Sequence, residues 1–132
     1  MSDTKKELEE WCRDIADKLA SLAAGDVYDE ENNTVISYRD RDPDIDYDDN
    51  NRYTTLYSCL EDNYGVKILV DLSGDDYYGA EICVAWGGPN IYINTRTSYI
   101  EGYWGFDEVK VPLGYETRDK IDDVIEDWRS CY

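Results

Sequence analysis

The chain places an aspartate at every second position of one short stretch, RDRDPDIDYDDNN, which spans residues 39–51. The alternating residues are Asp40, Asp42, Asp44, Asp46 and Asp48, and Asp49 adds a sixth carboxylate. Carboxylates at this density attract either a metal cation or a protein surface that is rich in lysine and arginine. Because like charges repel, their concentration costs stability that a positively charged partner would restore.

An extended backbone would align these carboxylates. In an extended chain alternate side chains point to one side, and two residues advance roughly 6.6–6.8 Å. Pro43 and the charge density disfavour a helix, so we predict an extended or looped segment. A row of carboxylates then resembles a nucleic acid strand, which carries one negative charge per roughly 3.4 Å of axis. Tyr47 lies within the run, and we expect it to supply apolar contact to a partner.

Three other interpretations of the aspartate run remain open. A charge run is most often a solvated loop. Asp42, Asp44 and Asp46 match positions 1, 3 and 5 of an EF-hand calcium loop. However, Tyr47 stands where that loop needs glycine, and Tyr53 stands where it needs glutamate. Adaptation to high salt would also enrich acids, but it predicts them over the whole surface and does not explain 13 Tyr.

The excess negative charge is concentrated in two segments. The chain has 31 acidic and 13 basic residues and a formal net charge of −18. Residues 26–51 hold 10 of the acids and 2 of the bases, and residues 99–132 hold 9 acids and 4 bases. Such a field repels nucleic acid and anionic membranes and steers the protein toward basic partners. In the second segment one face of a predicted helix carries Asp119, Asp122, Asp123, Glu126 and Asp127.

The composition argues against catalysis. The chain has no histidine, which is the commonest general base and metal ligand. Its four cysteines form no CxxC pair. Carboxylate pairs can serve a glycosidase, but 31 acids produce such pairs by chance. We therefore expect no enzyme activity and no cofactor.

The N-terminal sequence contains no apolar signal core, and no stretch approaches the length of a membrane span. We therefore expect a cytoplasmic protein whose cysteines are reduced thiols.

Hydrophobic periodicity predicts one α+β domain over residues 1–132. The spacing of apolar residues predicts helices over residues 4–24, 54–64 and 117–130. Strand patterns separated by short turns begin at residue 66, and a hairpin turn is expected at residues 31–33. Because short connections favour antiparallel neighbours, we expect an antiparallel sheet of four to five strands with the N- and C-terminal helices packed against it.

A small acidic α+β protein with clustered carboxylates and no histidine resembles the DNA-mimic inhibitors that phages and other mobile elements encode. Among these are anti-CRISPR and anti-restriction proteins. The stretch AWGGPNIYINTRTSYIEGYWGFDEVKVPL and the terminal helix DKIDDVIEDWR look like small accessory proteins of such elements.

The resemblance implies a stoichiometric inhibitor that needs no cofactor. Its carboxylates would engage the arginines with which a CRISPR effector holds the PAM duplex. An immunity or anti-restriction protein that neutralises a basic nuclease, or a calcium-binding acidic module, is the alternative. The expected partner-binding residues are Asp40, Asp42, Asp44, Asp46, Tyr47, Asp48, Asp49, Asp119, Asp122, Asp123 and Glu126.

Overall fold

Two antiparallel sheets and three α-helices make up the part of the chain, residues 3–74 and 76–131, that the computed structural model describes. The first half contains α1 (Asp3–Ala23), β1 (Val27–Asp29), β2 (Thr34–Ile36), β3 (Tyr53–Thr54) and α2 (Leu56–Glu61). The second half contains β4 (Gly65–Val70), β5 (Tyr77–Ala85), β6 (Asn90–Asn94), β7 (Tyr99–Trp104), β8 (Asp107–Pro112) and α3 (Tyr115–Ser130).

The larger sheet is a meander in the order β4-β5-β6-β7-β8. Ile82 pairs with Ile93, and Ile93 pairs with Ile100, so branched apolar side chains form a row on one face of the sheet. α1 packs against β7 and β8, and α3 contacts β5 and α1. The predicted α+β architecture, an antiparallel sheet with the terminal helices packed on it, is therefore confirmed.

The closest contact between helix and sheet lies at Gly102 in β7. A Cβ atom there would be 2.8 Å from Cys12 Sγ and 2.9 Å from Leu8 Cδ1. Leu8 and Cys12 are fully buried on α1. The absence of a side chain at Gly102 thus lets α1 lie directly on the sheet.

The smaller sheet has the order β2-β1-β3 and a separate core. Val27, Tyr47 and Tyr53 are buried together in it, with Ile36 and Ile45 packed against them. The hairpin expected around residues 31–33 joins β1 to β2. The predicted helix over residues 54–64 is shorter than expected, because Thr55 caps its start with Ser58 and the Tyr64 amide already bonds the Cys83 carbonyl of β5.

The second face of the larger sheet points away from α1 and α3. Cys83, Tyr92, Glu101 and Lys110 lie in register across β5, β6, β7 and β8 on this face. They alternate with the isoleucine row because successive side chains of a strand point to opposite faces. We call it the outer face.

Candidate functional site

The acidic loop, residues 40–49, is not an extended row of carboxylates. Tyr38–Asp40 form a short 3₁₀ helix, and turns follow. Asp42 Oδ1 accepts a hydrogen bond from the amide of Asp44 at 2.9 Å, and Asp46 Oδ1 accepts one from the amide of Asp49 at 3.3 Å. Because these side chains bind nearby main-chain amides, they favour turns over an extended strand. Of the predicted extended or looped segment, the looped form is the one present, and an extended row of carboxylates does not form.

Tyr47 lies inside the acidic loop and is not available to a partner. Its side chain is only 3% exposed. The ring meets Tyr53 edge-on, with ring centroids 4.8 Å apart, and the Arg41 guanidinium lies 4.9 Å from the ring centroid. The expectation that Tyr47 contacts a partner is wrong, because the small sheet needs this ring to complete its core.

The acidic loop is attached to the C-terminal end of α1. Arg41 Nη1 donates a hydrogen bond to the carbonyl of Gly25 at 3.2 Å. Asp26 accepts a hydrogen bond from the Tyr38 amide at 3.2 Å and another from Ser21 Oγ at 2.8 Å. These bonds hold the loop and the 3₁₀ turn before it against Gly25 and Asp26, which follow α1.

The acidic loop is also attached to the start of α2. Thr55 Oγ1, at the N-cap of α2, donates a hydrogen bond to Asp48 Oδ1 at 2.5 Å. Asp48 therefore helps to hold the acidic loop against α2, in addition to contributing negative charge.

A partly buried ion pair between Arg52 and Asp29 stabilises the smaller sheet beside the acidic loop. Arg52 Nε lies 3.1 Å from Asp29 Oδ1, and Arg52 Nη2 lies 2.9 Å from Asp29 Oδ2. The two hydrogen bonds from Arg52 lower the pKa of Asp29 to about 2, and hydrogen bonds from Asn32 add to the effect. Such a bidentate contact fixes both side chains, so Asp29 belongs to the framework of the smaller sheet.

All six aspartates of the acidic loop are exposed, whatever bonds their oxygens make. They are Asp40, Asp42, Asp44, Asp46, Asp48 and Asp49. Arg41 turns inward onto Tyr47, whereas Arg39 is exposed. The loop surface is consequently negative, with an irregular spacing set by its turns.

The second acidic surface lies on α3. Asp119, Asp123 and Glu126 are exposed opposite the buried stripe of Ile121 and Ile125, as the periodicity predicts. Asp119 also lies 3.1 Å from Arg118 Nη2.

Asp122 occupies a different position from the other acids of α3. It is only partly exposed, and its Oδ1 accepts a hydrogen bond from Tyr77 Oη at 2.5 Å. Burial raises the pKa of Tyr77, and this bond raises it further. Asp122 therefore connects α3 to β5, although sequence alone suggested a partner contact.

The two acidic surfaces adjoin the same end of α1. A groove of about 670 Å³ separates the last turns of α1 from the first turns of α3. Ala20 and Ala23 form one wall, and Asp119 and Asp123 lie on the other, together with Lys120. Since Arg41 of the acidic loop bonds the Gly25 carbonyl just after α1, the acidic loop and α3 both lie next to the C-terminal end of α1, a region that we call the acidic end.

The structure offers no calcium loop. In residues 3–74 and 76–131, no three carboxylate or cysteine side chains converge to hold a metal ion. Asp42 and Asp46, which match two EF-hand ligand positions, instead accept hydrogen bonds from the main chain.

Sequence reasoning missed an aromatic hollow on the outer face. Tyr64, Trp86 and Tyr92 surround Cys83 there. The alternation of side chains along β5 and β6 could have predicted this hollow, because it places Cys83 and Tyr92 on the face opposite the isoleucines.

The chain matches no protein-family model, and no curated protein or solved structure is similar to it. Within the described ranges, no helix is both long enough and apolar enough to cross a membrane.

Proposed function

We propose that the protein is a stoichiometric inhibitor that binds the basic DNA-binding groove of a CRISPR effector in place of target DNA. The observation that carries the proposal is the acidic end, where the acidic loop and α3, which both carry exposed carboxylates, adjoin the C-terminal end of α1. A groove that receives DNA presents lysine and arginine side chains arranged for closely spaced negative charges. Carboxylates can take the place of phosphates in such a groove.

The physical advantage of the acidic end is that it is formed in advance. Hydrogen bonds to Asp42, Asp46 and Asp48 hold the loop in one shape. A loop that is already ordered loses less conformational entropy when it binds. Its charge also steers the encounter with a basic groove, and carboxylate–guanidinium pairs then form strong hydrogen bonds.

The proposal needs neither a cofactor nor a catalytic step. It places the protein in the cytoplasm of the cell in which the effector acts. Binding at the site that first reads the PAM duplex would prevent recognition of the target before base pairing begins.

A gel-shift competition tests the proposal. The purified protein is mixed with type I and type II effectors before labelled target DNA is added, and the bound fraction is measured. We expect one effector to lose DNA binding as the inhibitor approaches an equimolar amount. We also expect salt to weaken the inhibitor–effector complex, chiefly by slowing association.

Restriction endonucleases and basic toxin nucleases belong in the same panel. Loss of DNA binding by one of them, and by no CRISPR effector, would assign the anti-restriction or immunity alternative. If every protein in the panel binds DNA as well with the inhibitor as without it, the proposal fails.

A further inference from the structure

The aromatic pit is a hollow on the outer face, lined by Tyr64, Cys83, Trp86 and Tyr92 and about 260 Å³ in volume. Next to the pit, Gly65 lies in register with Cys83 and has no side chain. A Cβ atom at Gly65 would meet nothing within 4 Å, so the space above it is open. The pit continues into a second hollow of about 310 Å³, which adds Lys67 and Glu81.

The walls of the pit are unusually exposed. The side chain of Tyr64 is 72% exposed and that of Trp86 is 66% exposed. Trp11 and Trp104 stack on each other, and Trp128 meets Tyr57 edge-on. Among the described residues, by contrast, Trp86 has no aromatic partner within stacking distance. Its large ring therefore makes no comparable contribution to packing.

The electrostatics of the pit favour a cation. Aromatic ring faces attract positive charge through their quadrupole. Glu81 places a carboxylate in the adjoining hollow, and it adds to the effect of burial in raising the pKa of Tyr92 and of Cys83. Lys67 lies in register with Glu81 and offsets its charge, so the attraction at the end formed by Tyr64 and Trp86 comes from the aromatic rings and from the net charge of −18.

We propose that the aromatic pit binds a guanidinium group, and that the group comes from an arginine of the basic partner. Guanidinium suits the pit better than ammonium does, because it is planar, weakly hydrated and stacks on aromatic rings. The identity of the source rests on the proposed function, whereas the affinity of the pit for guanidinium does not. The pit lies apart from the acidic end and would give the complex a second point of attachment.

Ethylguanidinium chloride tests the affinity of the pit directly. The probe is titrated at constant ionic strength, and the shift of the Trp86 indole N–H resonance is followed by NMR, with assignment from the Trp86→Leu variant. N-Ethylurea serves as the neutral control of similar shape. We expect a progressive shift with ethylguanidinium up to about 0.1 M, where even a weak site is partly filled, and none with N-ethylurea.

Three results would overturn the proposal. The first is no shift with ethylguanidinium, and the second is an equal shift with N-ethylurea, which would indicate a site for any planar group. The third is a shift that depends on protein concentration alone, which would show that a second copy of the chain covers the pit.

The partner's contribution is tested with the effector that the competition assay identifies. Trp86→Leu keeps an apolar side chain and removes the aromatic face. Tyr78→Leu is the matched control, since Tyr78 lies on β5, the strand that ends just before Trp86, and is 61% exposed. We expect Trp86→Leu to weaken effector binding about 2- to 5-fold and Tyr78→Leu to leave it unchanged.

Equal binding by the two variants would show that no arginine of the partner occupies the pit, while leaving the proposed function intact. If no effector is found, the proposed function fails and the ethylguanidinium titration still decides whether the pit binds cations.

Discussion

The phenol oxygen of Tyr47 accepts a hydrogen bond from the main-chain amide of Asp42 at 2.9 Å, while its ring packs against Tyr53 in the core of the smaller sheet. One side chain therefore connects the acidic loop to a buried core. The loop thus has a defined shape, and Tyr47 helps to fix it.

Tyr47→Phe tests this connection. The substitution keeps the ring and removes the oxygen that accepts the Asp42 amide. We expect the free energy of unfolding to fall by about 1 kcal/mol. Hydrogen exchange measured by mass spectrometry should speed up in residues 40–49 and remain unchanged in the larger sheet. Unchanged exchange in the loop would show that the hydrogen bond does not hold it.

Because of the ion pair between Asp29 and Arg52, the free energy of unfolding should vary with pH in the acidic range. The pKa of Asp29 is lowered to about 2 in the folded protein, below its ordinary value of 3.8. A lowered carboxyl pKa contributes stability above its unfolded value, and this contribution is lost as pH falls through the folded value. The wild type should therefore lose this contribution between the two values.

Arg52→Gln removes the main cause of the lowered pKa. We expect the variant to be less stable at neutral pH and to lose less stability between pH 3.8 and about 2 than the wild type does. Denaturant unfolding at a series of pH values measures both curves. Parallel curves would contradict the role assigned to the pair.

Tyr77→Phe tests the connection between β5 and α3. The loss of the hydrogen bond to Asp122 should lower the free energy of unfolding by about 1 kcal/mol. Asp122→Asn should also destabilise the protein, whereas Asp123→Asn, at an exposed neighbouring position, should not. If both aspartate variants unfold alike in denaturant, Asp122 is only a surface acid.

The four thiols should differ in reactivity. Burial raises the pKa of Cys12 to about 11, and it also raises the pKa of Cys59 and of Cys83. Because the thiolate is the reactive form, these three should react slowly in the native protein. Cys131 is exposed, so a thiol reagent at mildly alkaline pH should label it first. Rapid labelling that persists in Cys131→Ser would contradict this order.

The larger sheet and both terminal helices could be predicted from the sequence alone. Apolar residues in β5 to β8 alternate with polar ones, and burial of one face makes that alternation specific. β3 was not predicted, since two residues are too few for a pattern.

The acidic loop shows that alternation of charged residues predicts an extended strand less well than alternation of apolar residues does. Alternating aspartates gain nothing from burial, so hydrogen bonds to neighbouring amides decided the backbone conformation. Tyr47 was misassigned because the sequence does not reveal a separate core formed with Val27 and Tyr53. The exposed acids of α3 were predicted by helical periodicity, but the contact of Asp122 with Tyr77 joins residues that are 45 positions apart.

The central claim is tested most directly by two sets of charge reversals with equal total charge. Asp40, Asp44 and Asp49 are exposed in the acidic loop, and Glu7, Glu10 and Asp14 are exposed on the first half of α1. Replacement of either set by lysine changes the net charge by the same amount.

The dissociation constant of each variant is measured with the effector found in the competition assay, or with the nuclease if that alternative holds. The account predicts a loss of at least about tenfold for the loop variant, and a much smaller loss for the α1 variant, because the loop belongs to the proposed binding surface and the first half of α1 does not. Equal losses would contradict it, since total charge alone would then account for binding.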